Sequence, residues 1–144
     1  MNSTAVIAAF LLTAGRIASA QSAPKDSTST LSGVYTAEQA ARGRASYAGL
    51  CRSCHIPSSG ESFAKLWAGR TVSDLFKYIM ETMPDNNPGL LSPPDNADVV
   101  GYLLQVAGMP TGSRELSSAL DSLKTIKIEM KKETAPPTDR RAPR

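Results

Sequence analysis

Both cysteines and the single histidine of this chain fall within one pentapeptide, Cys51-Arg52-Ser53-Cys54-His55. C-x-x-C-H is the attachment signature of a c-type haem. Each thiol adds across a vinyl group of the porphyrin, and the spacing of the two cysteines on a helical turn matches the distance between the vinyls. His55 then stands beneath the iron as the proximal ligand. With no second histidine in the chain, the iron cannot be bis-histidine within one polypeptide. Methionine is the usual soft, neutral partner, and it raises the reduction potential.

Two other chemistries use parts of this motif. A thioredoxin-like C-x-x-C follows a strand in a βαβ context, and no such pattern precedes Cys51. A structural zinc site needs four ligands. Here His55 sits beside Cys54 with no second Cys or His pair to complete the set.

Residues 1–20 read as a secretory signal. An apolar run covers 5–14, and Ala18-Ser19-Ala20 is an A-x-A cleavage site before Gln21. The run is too short to span a bilayer. The segment before it carries no Lys or Arg, and Arg16 follows the run instead, which departs from the usual signal pattern. Export suits the motif, because haem is attached covalently outside the bacterial cytoplasm; the expected location is the periplasm. Removing 1–20 takes away one arginine and no acid, so the formal charge of +3 becomes +2. So near to neutral, net charge supports neither nucleic-acid binding nor attraction to an anionic membrane. No later segment is apolar enough for an anchor.

Residues 21–33 are polar and poor in large apolar groups, the composition of a flexible leader. Residues 131–144 hold three prolines and mixed charges and read as a disordered tail. Between them the helix signals are clear. Thr36 and Gln39 form a capping box, with Gln39 reaching back, for a helix running to about Ala48. Gly43 inside it costs about 1 kcal/mol against alanine, so a close helix crossing is expected there. Gly49 is the expected stop. A loop follows at 56–60, then the bulky Phe63, Leu66 and Trp67.

A second helix opens at Thr71, with Asp74 near the positive end of the dipole. Val72, Leu75, Phe76, Ile79 and Met80 fall at the spacing of a buried face. It ends by Met83, because Pro84 disfavours a helical residue before it. Ser92 is an N-cap followed by Pro93 at the first helical position. That third helix runs to about Ala107 and buries Val99, Val100, Leu103 and Leu104, with Gly108 as a left-handed stop. Residues 113–124 can make a short helix with Leu116, Leu120 and Leu123 inward. Ile126, Ile128 and Met130 alternate like an extended strip lying on a domain. The fold class is therefore all-α, with a domain at 34–110 and an extension at 111–130 packed on it. Seventy-seven residues and three short helices make a marginal core. A haem held by two thioethers supplies the staple, and the apoprotein is expected to be largely unfolded.

The order of capped helix, C-x-x-C-H, capped middle helix, Met-Pro and terminal helix resembles the small class I monohaem cytochromes c. Trp67-Ala68-Gly69-Arg70-Thr71-Val72, Glu81-Thr82-Met83-Pro84, Asn87-Pro88-Gly89-Leu90-Leu91-Ser92 and Ala97-Asp98-Val99-Val100-Gly101-Tyr102-Leu103-Leu104 look like one subgroup. These are the cytochrome c domains found alone or fused to periplasmic quinoprotein dehydrogenases. The likeness covers about 34–130. It implies thioether attachment at Cys51 and Cys54, His55 as proximal and Met83 as distal iron ligand. It also implies that Gly43 and Tyr47 meet the face around Val100, Gly101 and Leu104. Two departures are Gly101, where alanine is common, and Met109-Pro110, where an aromatic is expected before proline.

Among the methionines, Met83 at a helix end can turn into the ring, whereas Met80 fits its helix's buried stripe and Met109 covers the core. Trp67 and Arg70 are candidates for bonding a haem propionate, or simply for core packing and a solvated face. The function implied is a soluble, exported carrier of single electrons, not an enzyme. It would accept from a periplasmic dehydrogenase and pass to an oxidase or another cytochrome. A dedicated dehydrogenase subunit, docking through 112–144, is the alternative. A haem enzyme or gas sensor with an open distal site is a third.

Overall fold

The computed structural model describes residues 29–131. The expected signal at 1–20, the expected leader up to residue 28 and the expected tail from residue 132 lie outside the described residues. Five α-helices follow in order: α1 (Ala37–Leu50), α2 (Gly60–Trp67), α3 (Val72–Thr82), α4 (Pro93–Val106) and α5 (Leu120–Lys124). The three expected helices are α1, α3 and α4.

The dominant packing is α1 against α4, and Gly43 makes it possible. A Cβ at Gly43 would lie 1.8 Å from the carbonyl oxygen of Asp98 and 2.8 Å from the nitrogen of Val99, so only glycine fits the crossing. Further along the same interface the rings of Tyr47 and Tyr102 pack with centroids 5.4 Å apart. Arg42 locks the edge of the crossing: its Nε donates to Asp98 Oδ2 at 2.7 Å and its Nη2 to Asp98 Oδ1 at 2.9 Å. The same Nη2 reaches Glu115 Oε1 at 2.8 Å.

Capping follows the sequence at α3 and α4. Thr71 and Asp74 form a complete capping box, with Asp74 N donating to Thr71 Oγ1 at 3.2 Å and Thr71 N to Asp74 Oδ2 at 2.9 Å. Ser92 caps α4 through Asp95 N, with Pro93 opening the helix. Gly108 takes a left-handed φ of 86° after it.

At α1 only half of the expected box exists. Thr36 Oγ1 accepts from Gln39 N at 3.1 Å, but the buried Gln39 amide turns away to the backbone of Leu116. It donates to the Leu116 carbonyl at 3.0 Å and accepts from the Leu116 N–H at 2.6 Å. A buried amide must be satisfied where it sits, and that outweighs a local bond that water could replace. Gly49 does not stop α1 either; the ladder continues through Cys51 N to Tyr47 O at 2.9 Å, and the helix reaches Leu50. Glycine permits a left-handed stop without imposing one. The eight-residue α2 was not read from the sequence as a helix.

The extension folds back over the domain. The buried Tyr35 donates its hydroxyl to the Met109 carbonyl at 2.6 Å, and Gly112 N donates to Tyr35 O at 2.7 Å. Leu116 is buried outside any helix, and α5 covers only residues 120–124, burying Leu123 but leaving Leu120 exposed. The strip at Ile126, Ile128 and Met130 is present. Ile128 is fully buried, and its backbone pairs with Gly69 and Arg70 at 2.9 and 2.8 Å. Its other neighbour is Thr30, whose N–H donates to Lys127 O at 2.9 Å. Thus residues 29–33, assigned by composition to the leader, are held on the strip, with Thr30 buried. Pairing amounts to isolated bridges among the described residues.

Candidate functional site

The C-x-x-C-H segment is the outgoing turn of α1. Cys51 caps the helix with φ −119° and ψ −32°, and its carbonyl accepts from Cys54 N at 3.1 Å and from His55 N at 2.9 Å. Two bonds to one carbonyl wind the five residues into a single turn. That turn is the arrangement that two thioethers and an axial imidazole on one porphyrin require. Cys51 is half-buried, and Cys54 and His55 are exposed.

Burial pushes the Cys51 thiol above its ordinary value. Among the described residues no three His, Cys, Asp or Glu side chains gather to hold a metal ion.

Met83 is the C-cap of α3, half-buried, with φ −124° and ψ 148° and a cis peptide to Pro84. It leaves the helix at its last hydrogen bond, Met83 N to Ile79 O at 2.9 Å. Met80, one turn earlier, is also half-buried, while Met109 is in the core as expected. Trp67, Arg70 and Tyr78 form a cluster: the Arg70 guanidinium lies 5.4 Å from the Trp67 ring, and Tyr78 meets that ring edge-on at 5.5 Å.

Apolar surface around these segments lacks a protein partner. Of the seven exposed large hydrophobic residues among the described residues, five are Leu50, Ile56, Leu66, Tyr78 and Leu90, all between the end of α1 and the start of α4. Ile56 is 92% exposed, Leu66 58% and Leu90 50%. The α2 helix meets α3 through Trp67 on Tyr78 and leaves its Leu66 exposed. Water-facing aliphatic groups concentrated beside the motif are what a large apolar macrocycle would cover. The residues present fit a haem.

A cleft of about 410 Å³ opens between the end of α1 and α4, lined by Arg44, Tyr47, Arg52, His55, Ile56 and Tyr102 among others. Sequence reading did not single it out. The signal was there: 44, 48 and 52 fall on one helical face, and Arg52 N continues the turn to Tyr47 O at 3.1 Å.

Residues 38–103 match a family model described as cytochrome c oxidase, cbb3-type, subunit III. The match runs from the first turn of α1 through the C-x-x-C-H turn and into the last turn of α4, and it marks a cytochrome c domain. No curated protein and no solved structure shows significant similarity to the chain. The domain and its C-x-x-C-H motif together imply one covalent haem c. No helix among the described residues is long and apolar enough to cross a membrane.

Proposed function

We propose that this cytochrome c domain makes the chain an exported, periplasmic carrier of single electrons. Bound at the C-x-x-C-H turn, haem c supplies a one-electron couple. Cys51 and Cys54 would hold it covalently, and His55 and Met83 are the residues that would ligate its iron. Met83 favours the reduced state through its neutral sulfur, and two protein ligands leave little to rearrange when the electron moves. The observation that carries the reading is the C-x-x-C-H turn lying inside the matched domain. Electrons would come from a periplasmic dehydrogenase, a quinoprotein by the resemblance above. They would leave to an oxidase or another cytochrome, and the oxidase subunit in the matched family's description supports that end of the route.

The dedicated-subunit alternative relied on residues 112–144 for docking. The described part of that extension is already engaged by Gln39, Arg42 and the strip against Gly69 and Arg70. This favours the free carrier. The enzyme or sensor reading has no distal histidine to draw on.

An absorption spectrum of exported protein, oxidised and reduced, tests the proposal after acid–acetone extraction of free haem. Sharp c-type bands that survive extraction, with a far-red sulfur-to-iron band in the oxidised form, are expected. Surviving haem without that band removes Met83 from the iron. Absence of any haem overturns the reading.

A further inference from the structure

We propose that Asn96 is a positioning residue for the distal side of the site: its amide bond to the Phe76 carbonyl fixes α3 lengthwise on α4, and with it the place of Met83. The proposal rests on the reading of Met83 as an iron ligand and names what holds that ligand in place.

The two sides of the site belong to different elements. The C-x-x-C-H turn closes α1, and Met83 caps α3. Both α1 and α3 pack on α4, so α4 sets one against the other. Its grip on α1 is rigid, because backbone meets backbone at Gly43 and Arg42 forks onto Asp98. On the other side, α3 buries Leu75, Phe76 and Ile79. Apolar burial is non-directional and does not by itself fix a helix along its axis.

Among the described residues, one hydrogen bond joins α4 to α3. Asn96 is fully buried, and its Nδ2 donates to the Phe76 carbonyl at 2.9 Å. In the helical ladder that carbonyl also takes the Met80 N–H, and a carbonyl oxygen has two lone pairs to offer. Asn96 therefore grips the α3 backbone one turn before Met80. Met83 lies seven residues beyond Phe76, about 10 Å along the axis at the helical rise. A displacement at Phe76 is carried down that short, stiff segment to Met83.

The other half of the amide argues that stability is not what this side chain supplies. Asn96 Oδ1 is buried and meets no partner, and an unmet buried acceptor is destabilising. A leucine would remove the orphaned oxygen, while the Phe76 carbonyl would keep its ladder bond. What leucine lacks is direction. A buried asparagine that specifies one arrangement at a cost in stability is an attested device between paired helices.

The test compares the haem-loaded full chain with Asn96→Leu, the smaller Asn96→Val and a control, Val99→Ala, at another buried position of α4. In both Asn96 variants the c-type bands should persist and the far-red band weaken. CO should bind the ferrous protein roughly three- to tenfold faster, the worth of one net hydrogen bond. Amide exchange at Met80 and Met83 should quicken by a similar factor while α1 keeps its wild-type rates. At least one Asn96 variant should keep a denaturation midpoint above that of Val99→Ala. The control should lose stability yet retain the wild-type CO rate and far-red band.

Wild-type CO rates in both Asn96 variants would overturn the proposal. So would equal acceleration in Val99→Ala, or both Asn96 midpoints falling below the control, since each makes Asn96 an ordinary core residue. A wild-type protein that itself lacks the far-red band overturns the Met83 assignment instead, so the two failures show in different proteins.

Discussion

Gly43 and Met83 carry different kinds of necessity. At Gly43 it is steric. A methyl group there meets the Asp98 backbone at 1.8 Å, and backbone cannot yield as a flexible side chain can. Gly43→Ala should therefore destabilise the domain by about 1–3 kcal/mol or more, the usual cost of overpacking, despite alanine's better helix propensity. Chemical denaturation of the haem-loaded protein reads this directly, and a variant as stable as wild type would mean that α1 and α4 separate more easily than the crossing implies. At Met83, proposed above as an iron ligand, it is electronic. Met83→Leu keeps the volume and removes the sulfur. The expected result is loss of the far-red band, a lower reduction potential and rapid CO binding to the ferrous protein. An unchanged spectrum would move the distal role to Met80, one turn back on α3.

Elements here are set by caps and by what covers them. The α3 cap gives a pH prediction. The Asp74 carboxyl is held below its ordinary value, first by the Thr71 backbone N–H and then by the Thr71 hydroxyl. In the unfolded chain it titrates near 3.9. The unfolded state thus binds more protons between the two values, and stability from this cap is complete above about pH 4 and fades as pH falls through the folded value. Asp74→Asn should lower the denaturation midpoint at pH 7, and its gap to wild type should narrow as the medium is acidified below pH 4. The group is largely exposed and the effect correspondingly modest. The α1 cap behaves differently because its Gln39 is buried. There the long-range pairing with Leu116 decides the side chain's direction, and no local pattern at 36–39 contains that information.

For the whole molecule, the extension is part of the core. Leu116, Leu123 and Ile128 are each buried almost completely. At about 1.5–3 kcal/mol for each fully buried aliphatic side chain, together they rival the ~5–15 kcal/mol margin of an ordinary domain. A chain ending after Pro110 should lose most of its folded population even with haem attached, measured by far-UV circular dichroism and denaturant midpoint. Native-like stability in that truncation would return 111–130 to the role of an appendage and revive it as a docking element.

Much of this was legible in the order of residues because the determinants are short in range. The C-x-x-C-H turn, the Thr71–Asp74 box, Ser92-Pro93 and the Gly108 stop each lie within a few residues, and local hydrogen bonding is enough to form them. The small size of Gly43 announced a close approach before its partner was known. What only the tertiary structure decided depends on groups distant along the chain. Gln39 finds Leu116, Thr30 finds Lys127, and Arg42 is consumed by Asp98 and Glu115 while Arg44, two residues on, is left facing a cleft. Which charge is spent and which stays available is set by burial and by what packs opposite, and neither can be read one residue at a time.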